Sequence, residues 1–477
     1  MTHSTFMHSQ TQQKNRSIAS RLPVLSILNE LDSGPRRFLM FNFFNVISWQ
    51  CVAGQVLVLF ARHIDMPTSR VGFLISFLPL SAMLVAFTVP LVTRLGPKRL
   101  LFATWLMRNM VACSVFIMPW AIERWGMRAG WYVLMGATLG FCLMRAMGNG
   151  SWFPWLHEVI PERERALFFS AQSIVIQLTS VVIMLGVGFL LHDNPSLNRF
   201  LAVYGIGIAA GFTSLGWVLR VPGGKAVPPM DPARRGLASY RMALHDRPFV
   251  LFVLTSILCF SAVSWIEASI ILYMRDALAI PAMRIMLRIA AGSLGILLTI
   301  HFWARFADHS GSGRTMCKAL IGHAAAAALC LTLVPGRAWT PHVLWAAVVL
   351  FFVFRAAFDM ATHRAMLGYV REAGRIGYTN IYMVSFSFAK GVTPIAAGFI
   401  IHSGGLWGFR ACFIIACAFG LAGAVLSRAV LEDSPAIAGP LTRLINPVVP
   451  LRTLARIVWI TVGMHESNRD AKEGAKP

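Results

Sequence analysis

Acidic residues are scarce: 20 Asp+Glu stand against 43 Lys+Arg in 477 residues, and charged residues of both signs make up only 13%. A soluble domain carries about 25% charged residues, so an ordinary water-soluble enzyme is excluded. A hydrophobic share of 56% excludes a disordered chain as well. The eight cysteines, Cys51, Cys113, Cys142, Cys259, Cys317, Cys330, Cys412 and Cys417, show no CxxC spacing. They support neither a metal site nor a disulfide framework and read as small apolar fillers. HExxH, GxSxG and a nucleotide-binding glycine loop are also missing, so no catalytic residues, cofactor or metal are expected. The first 36 residues are polar, with Lys14, Arg16 and Arg21 but no apolar core, and no cleavable leader is expected.

What the chain does have is long apolar runs. A membrane span needs about 20 mostly apolar residues, and twelve segments qualify. They lie near 38–61, 71–93, 100–121, 129–150, 167–191, 198–219, 249–274, 280–303, 316–335, 342–363, 377–401 and 408–430. Unpaired backbone groups cannot face hydrocarbon, and the pattern is not that of a barrel strand, so the spans are helices. The expectation is an all-α, multi-pass protein of a cell membrane, of the bacterial inner or cytoplasmic kind, with the lipid bilayer as its surroundings. With the N-terminus inside, 29 basic residues in the tails, loops and span ends fall on the cytoplasmic side and 9 on the other. Both termini are therefore expected to be cytoplasmic. The net charge of +23 is mostly topology, and nucleic acid drops out as a partner.

The chain also repeats itself. At an offset of 210, Phe141 falls on Phe351, Arg145 on Arg355, Ala146 on Ala356, Asn149 on Asp359 and Arg165 on Arg375, and GFLLH (188–192) on GFIIH (398–402). At an offset of 215, Gly96 falls on Gly311, Arg99 on Arg314 and Arg108 on His323. Order and spacing are kept, which describes two six-span units in the same orientation. The resulting division is a tail at 1–36, a first bundle at 37–220, a linker at 221–247, a second bundle at 248–430 and a tail at 431–477. In the last tail, residues 440–464 alternate apolar runs with Arg443, Arg452 and Arg456, as in an amphipathic segment lying on an anionic leaflet.

Three local patterns carry a resemblance. The loop after span two reads VTRLGPKR and the loop after span eight reads ARFADHSGSGR, both similar to a Gly-x-x-x-Asp-Arg-x-Gly-x-Arg-Arg latch. Span four ends in LMRAMGNGSW, similar to an Arg-x-x-x-Gly pattern, and SWFPWLHEVIPERER follows. Over residues 37–430 the chain resembles the major facilitator superfamily of twelve-span secondary transporters. That resemblance implies the major facilitator fold of two six-helix pseudo-repeats, and a cytoplasmic gate formed by Arg94, Gly96, Arg99, Asp308, Gly311 and Arg314. The match in the first loop is incomplete, with Thr93 and Val89 where the family has Asp and Gly. Span five lacks the Gly-Pro of drug/proton antiporters.

Seven charges fall deep inside spans, away from their ends: Arg108, Arg145, Glu267, Arg288, Arg355, Asp359 and Lys390. Each is costly in hydrocarbon and should face a cavity or a partner. Five bases against two acids leave an excess that a bound anion would balance. Depth counting places Arg108, Arg145, Arg355 and Asp359 in the cytoplasmic half and Glu267 in the outer half. Arg355 and Asp359, one turn apart, are expected to pair; these two with Arg108, Arg145 and His323 can brace a cytoplasmic gate. Alternatively, Arg145 and Arg355 clamp a carboxylate or phosphate, a task that suits an arginine fork. Lys390 is a candidate for substrate binding or for an ion pair. Glu267 is the better proton carrier and Asp359 its competitor, the competing reading being a static pair of Glu267 with Lys390 or Arg288. Asn45, Gln50, Gln177 and Trp265 complete the candidate substrate site. The expected function is alternating-access transport of a small organic anion or zwitterion with a proton, in a monomer. The alternatives are a proton-driven exporter of the same fold, a membrane-embedded enzyme or a non-transporting sensor.

Overall fold

The computed structural model describes residues 33–160, 165–225, 237–371 and 375–431, and every regular element among them is helical. The amphipathic segment at 440–464 lies outside these residues. The first half contains α1 (Ser33–Val52), α2 (Gln55–His63), α3 (Thr68–Ala82), α4 (Val89–Leu95), α5 (Pro97–Ala112), α6 (Met118–Trp125), α7 (Met127–Asn149), α8 (Trp152–Val159), α9 (Arg165–Leu191) and α10 (Leu197–Arg220). The second contains α11 (Leu237–His245), α12 (Arg247–Leu272), α13 (Ala282–Ser310), α14 (Ser312–Leu331), α15 (Thr340–Tyr369) and α16 (Arg375–Val430). Proline opens α5, α12 and α15 in the first turn, where its missing N–H leaves no bond unmade. A π-helical turn, Tyr273–Ala277, extends α12.

Ten of the described helical stretches are long and apolar enough to cross a membrane, so the protein is a multi-pass membrane protein. The last stretch, Gly377–Val430, has 54 residues. As one rod it would run about 80 Å at 1.5 Å per residue, against a hydrocarbon core of about 30 Å. It is bent at Gly405, whose φ of 52° and ψ of −125° lie in a region only glycine enters readily. A β-carbon on Gly408 would come within 2.3 Å of the Ile400 carbonyl oxygen, so the chain turns back on itself there. The two passes expected at 377–401 and 408–430 are the two arms of this hairpin. The stretch α14, at 20 residues, packs against both α15 and α16.

One large apolar core runs through both halves, and a second fills the linker end of the first half around Phe38, Trp105, Trp155, Phe168 and Leu215. The halves meet where α3 packs on α16 and α9 on α13. The named contacts between them gather at the end of the bundle remote from the linker. Gly72 and Gly398 cross so closely that a β-carbon on Gly72 would meet the Pro394 carbonyl oxygen at 2.3 Å. Nearby, the Met283 N–H donates to the His192 carbonyl at 3.3 Å.

Candidate functional site

The second half places three charged side chains together. Arg355 on α15 donates from Nη1 to Glu267 Oε1 on α12 at 2.6 Å, and its Nε lies 3.7 Å from Asp359 Oδ2 one turn further on. The expected Arg355 and Asp359 pair is present, but the shorter contact goes to Glu267. This corrects the sequence expectation, which put Glu267 at a different depth and paired it, if at all, with Lys390 or Arg288. The cause is helix length: α15 runs over 30 residues instead of the expected 22. Arg355 therefore sits at its middle, within reach of Glu267.

The three side chains remain 24%, 28% and 37% exposed for Arg355, Glu267 and Asp359. Glu267 lines a small cavity with Met274, Ile289, Phe351 and Phe352 of the second half and Gln55 of the first. A cavity between the halves, lined by apolar side chains and the Gln55 amide, thus opens onto one ion-paired carboxylate. Beside the cluster, His323 is buried, with Nδ1 against the Ala319 carbonyl at 2.9 Å and its ring edge-on to Phe351 and Phe358. Its Nε2 has no hydrogen-bond partner.

Two arginines lie deep in the helices of the first half, and among the described residues neither pairs with a carboxylate. Arg108 on α5 is fully buried. It donates to Asn45 Oδ1 at 2.9 Å and to Asn109 Oδ1 at 3.2 Å, and lies 4.7 Å from the ring centres of Trp105 and Phe141. Asn45 also accepts from Trp105 Nε1 at 3.0 Å. Every strong donor direction of Arg108 is thereby taken by neutral oxygens and aromatic faces, an arrangement that holds a buried cation without a counter-ion. Arg145 on α7 is different. Its guanidinium stacks on Trp49 at 3.9 Å, and its buried Nη1 has no hydrogen-bond partner.

The other candidates are dispersed. Lys390 holds its ammonium over Phe260 and Phe386 at 5.1 and 5.8 Å, next to a Ser261 and Thr393 hydroxyl contact of 3.0 Å. Gln50 donates to Ser180 Oγ at 2.9 Å, and Gln177 is half-buried on α9. Trp265 is buried, with an unpartnered Nε1. Arg288 stacks over Trp345 at 5.2 Å. Of the loop residues, Gly96 and Gly311 adopt matching left-handed turns, φ 83° and 86°, that start α5 and α14. Arg94, Arg99 and Arg314 are exposed, and the Asp308 side chain is outside those described. Lys98 from the first loop donates to the Leu219 and Val221 carbonyls at 2.9 and 2.6 Å, holding the end of α10 in its own half.

A further contact was not among the sequence candidates. Arg62 Nε and Asp276 Oδ1 meet at 2.9 Å across the two halves. The signal was available in the repeat: IDMPTSR at 64–70 aligns with LAIPAMR at 278–284 at an offset of 214, which also superimposes Arg62 on Asp276.

Residues 257–464 match the family model described as Major Facilitator Superfamily. Among solved structures, the chain is similar to a mutant form of the nucleoside transporter NupG, with a TM-score of 0.65, 14% identity, and coverage of 83% of this chain and 100% of that one. It is also similar to a bacterial homologue of the iron transporter ferroportin in its inward-facing state, with a TM-score of 0.67, 12% identity, and coverage of 83% and 98%. A POT family transporter in complex with 5-aminolevulinic acid aligns at 0.66, 9% identity, and coverage of 84% and 97%. The fold is that of the major facilitator superfamily. No curated protein matches the chain. Likeness at such low identity shows the fold and leaves the function to the site itself.

Proposed function

We propose that this major facilitator chain is a secondary active transporter that moves a small organic anion, or a zwitterion with an anionic group, together with a proton. The observation that carries the reading is Glu267, a carboxylate that faces the cavity between the halves while its charge is held by Arg355. Such a group has two alternative partners. When Glu267 takes up a proton, Arg355 is released toward Asp359, already 3.7 Å away, or toward the oxygens of an anionic cargo. Loss of that proton restores the pair and expels the anion.

The excess of positive charge supports an anionic cargo. Arg108, Arg145, Arg355 and Lys390 outnumber Glu267 and Asp359 in the middle of the bundle, and Arg145 has an Nη1 without an acceptor. Arg108 is already satisfied and acts as a structural cation, which leaves Arg145 and Lys390, with Arg355 once released, as the groups that meet cargo. Rocking of the two halves about this centre would expose it to each side in turn.

The reading is tested by a thermal-shift screen of the purified protein against organic acids, nucleosides, peptides, amino acids and metal chelates. A ligand present at 100 times its Kd stabilises by about 2.7 kcal/mol, and a stabilising hit is expected among the carboxylates. Stabilisation confined to neutral or cationic compounds would refute the anionic class.

A further inference from the structure

At the end of the bundle remote from the linker, its far end, two arginines stack on tryptophans that hold the same position of the repeat. Arg70 on α3 lies 5.0 Å from the ring centre of Trp131 and 5.3 Å from that of Tyr132, both on α7. Arg288 on α13 lies 5.2 Å from the ring centre of Trp345 on α15. The offset of 214 that aligns IDMPTSR with LAIPAMR also carries Trp131 onto Trp345, and Arg70 onto Arg284, one turn before Arg288. Arginine stacks on tryptophan elsewhere too: Arg410 lies 4.8 Å over Trp407, but there both side chains are exposed. What sets Arg70 and Arg288 apart is a buried guanidinium nitrogen without a hydrogen-bond partner, Nη1 in Arg70 and Nε in Arg288. Among the described residues neither arginine pairs with a carboxylate.

Stacking uses the flat of a guanidinium and leaves its edge, where the N–H groups point, for an acceptor. Arg288 gives one edge donor, Nη1, to the Arg284 carbonyl at 2.9 Å, and the residue is only 7% exposed. Arg284 is exposed, one turn nearer the start of the same helix. Like charges four residues apart repel. An anion between them removes the repulsion and supplies the acceptor that Nε lacks. A phosphate diester does this well, because its two free oxygens match the guanidinium fork.

The surroundings indicate where such a phosphate comes from. Arg70 and Arg284 lie two residues into α3 and α13, and Arg288 six residues into α13, which is about 3 and 9 Å along the helix. A headgroup layer is about 5 to 8 Å thick. Counted from the helix starts, the three arginines therefore reach the level where phosphates meet acyl chains. Both places open on the outside of membrane-length helices, beside Tyr132 at 61% and Leu287 at 44% exposure. They also lie on different flanks of the bundle, since α3 packs on α16 and α13 on α9. One central cargo cannot fill both.

We propose that each half carries, at its far end, a docking site for the phosphate of an anionic phospholipid. Arg70, Trp131 and Tyr132 build it in the first half, and Arg284, Arg288 and Trp345 in the second. No carboxylate bonds to these arginines that could receive an ammonium or choline group, so lipids of net negative charge are preferred to zwitterionic ones. In the second half the acyl chains run down the exposed apolar side of α13, over Leu287 and Leu294.

The inference makes no use of cargo or of the Glu267 and Arg355 pair. Native mass spectrometry of the full-length protein released from detergent tests it, with phosphatidylglycerol and phosphatidylcholine titrated separately. The wild-type protein should retain phosphatidylglycerol at one tight site in each half, about tenfold or more tightly than phosphatidylcholine, the ratio that one charge-assisted hydrogen bond supplies. Arg70→Gln and Arg288→Gln should each lose one site, and the double variant both. Arg284→Gln, at an exposed position, should weaken the second site and keeps it testable if Arg288→Gln does not fold. Arg410→Gln removes the same charge from the exposed pair at the same end and should lose neither site. Free glycerol 3-phosphate at the lipid concentration should displace nothing. Equal retention of the two lipids, or an Arg410→Gln protein that loses as much as Arg288→Gln, overturns the proposal in favour of diffuse surface charge. Displacement by free glycerol 3-phosphate overturns the lipid as the source of the phosphate.

Discussion

Arg355 reaches Glu267, 88 residues earlier in the chain, at 2.6 Å, and holds Asp359 of its own helix only at 3.7 Å. The contact between helices is therefore the stronger of the two. Removing one member of a fully buried pair costs about 3 to 5 kcal/mol; with roughly a quarter of each side chain exposed, about 1 to 2 kcal/mol is expected here. In a double-mutant cycle of Arg355→Ala with Glu267→Ala, followed by chemical unfolding in detergent, the coupling energy should exceed that of Arg355→Ala with Asp359→Ala. Equal or reversed couplings would contradict the geometry.

Asn45 accepts hydrogen bonds from both Arg108 and Trp105. Asn45→Ala strands both donors in a buried site and should lower stability by about 1 to 3 kcal/mol. If the role is structural, ligand-induced stabilisation should be unchanged once measured relative to the variant's own melting temperature.

Close approach of α3 and α16 depends on the lack of a side chain at Gly72. Gly72→Ala should cost about 1 to 3 kcal/mol through overpacking and open the far end. Gly136→Ala, where a β-carbon meets nothing within 4 Å, is the control and should be neutral or slightly stabilising. Thermal unfolding of the two variants side by side checks this.

Lys390 rests on two aromatic faces. Lys390→Met keeps the volume and the apolar contacts, so the fold should survive with a melting temperature within a few degrees of the parent. Stabilisation by the anionic ligand should be lost. Retained stabilisation would assign Lys390 to packing alone.

Composition and span length were enough to read an all-helical, multi-pass architecture, because a bilayer admits few structures; the described residues carry ten such stretches. Of the positions that the sequence offsets matched, Gly96 and Gly311 adopt similar backbone turns at the start of α5 and α14. Pairing was harder. Depth counted from span ends failed for Glu267 and Arg355, since apolar periodicity locates a helix but not how far its polar ends extend, and α15 extends well past its apolar run. Asn45 looked like part of a binding site because a polar residue in a span signals either cargo or a neighbouring helix, and only coordinates reveal Arg108 behind it. Arg62 and Asp276 fall just outside the expected spans and were not among the candidates, although the Pro67 and Pro281 segments place them at equivalent positions of the sequence.

The most direct measurement is proton movement driven by cargo. Protein reconstituted in liposomes containing a pH-sensitive dye is exposed to the stabilising anion, with no other gradient imposed. The wild-type protein should acidify the lumen as the anion enters. Glu267→Gln should bind the anion and exchange it across the membrane without moving protons, because the amide mimics the protonated carboxyl. A Glu267→Gln protein that still acidifies the lumen at the wild-type rate would contradict a proton carried by Glu267.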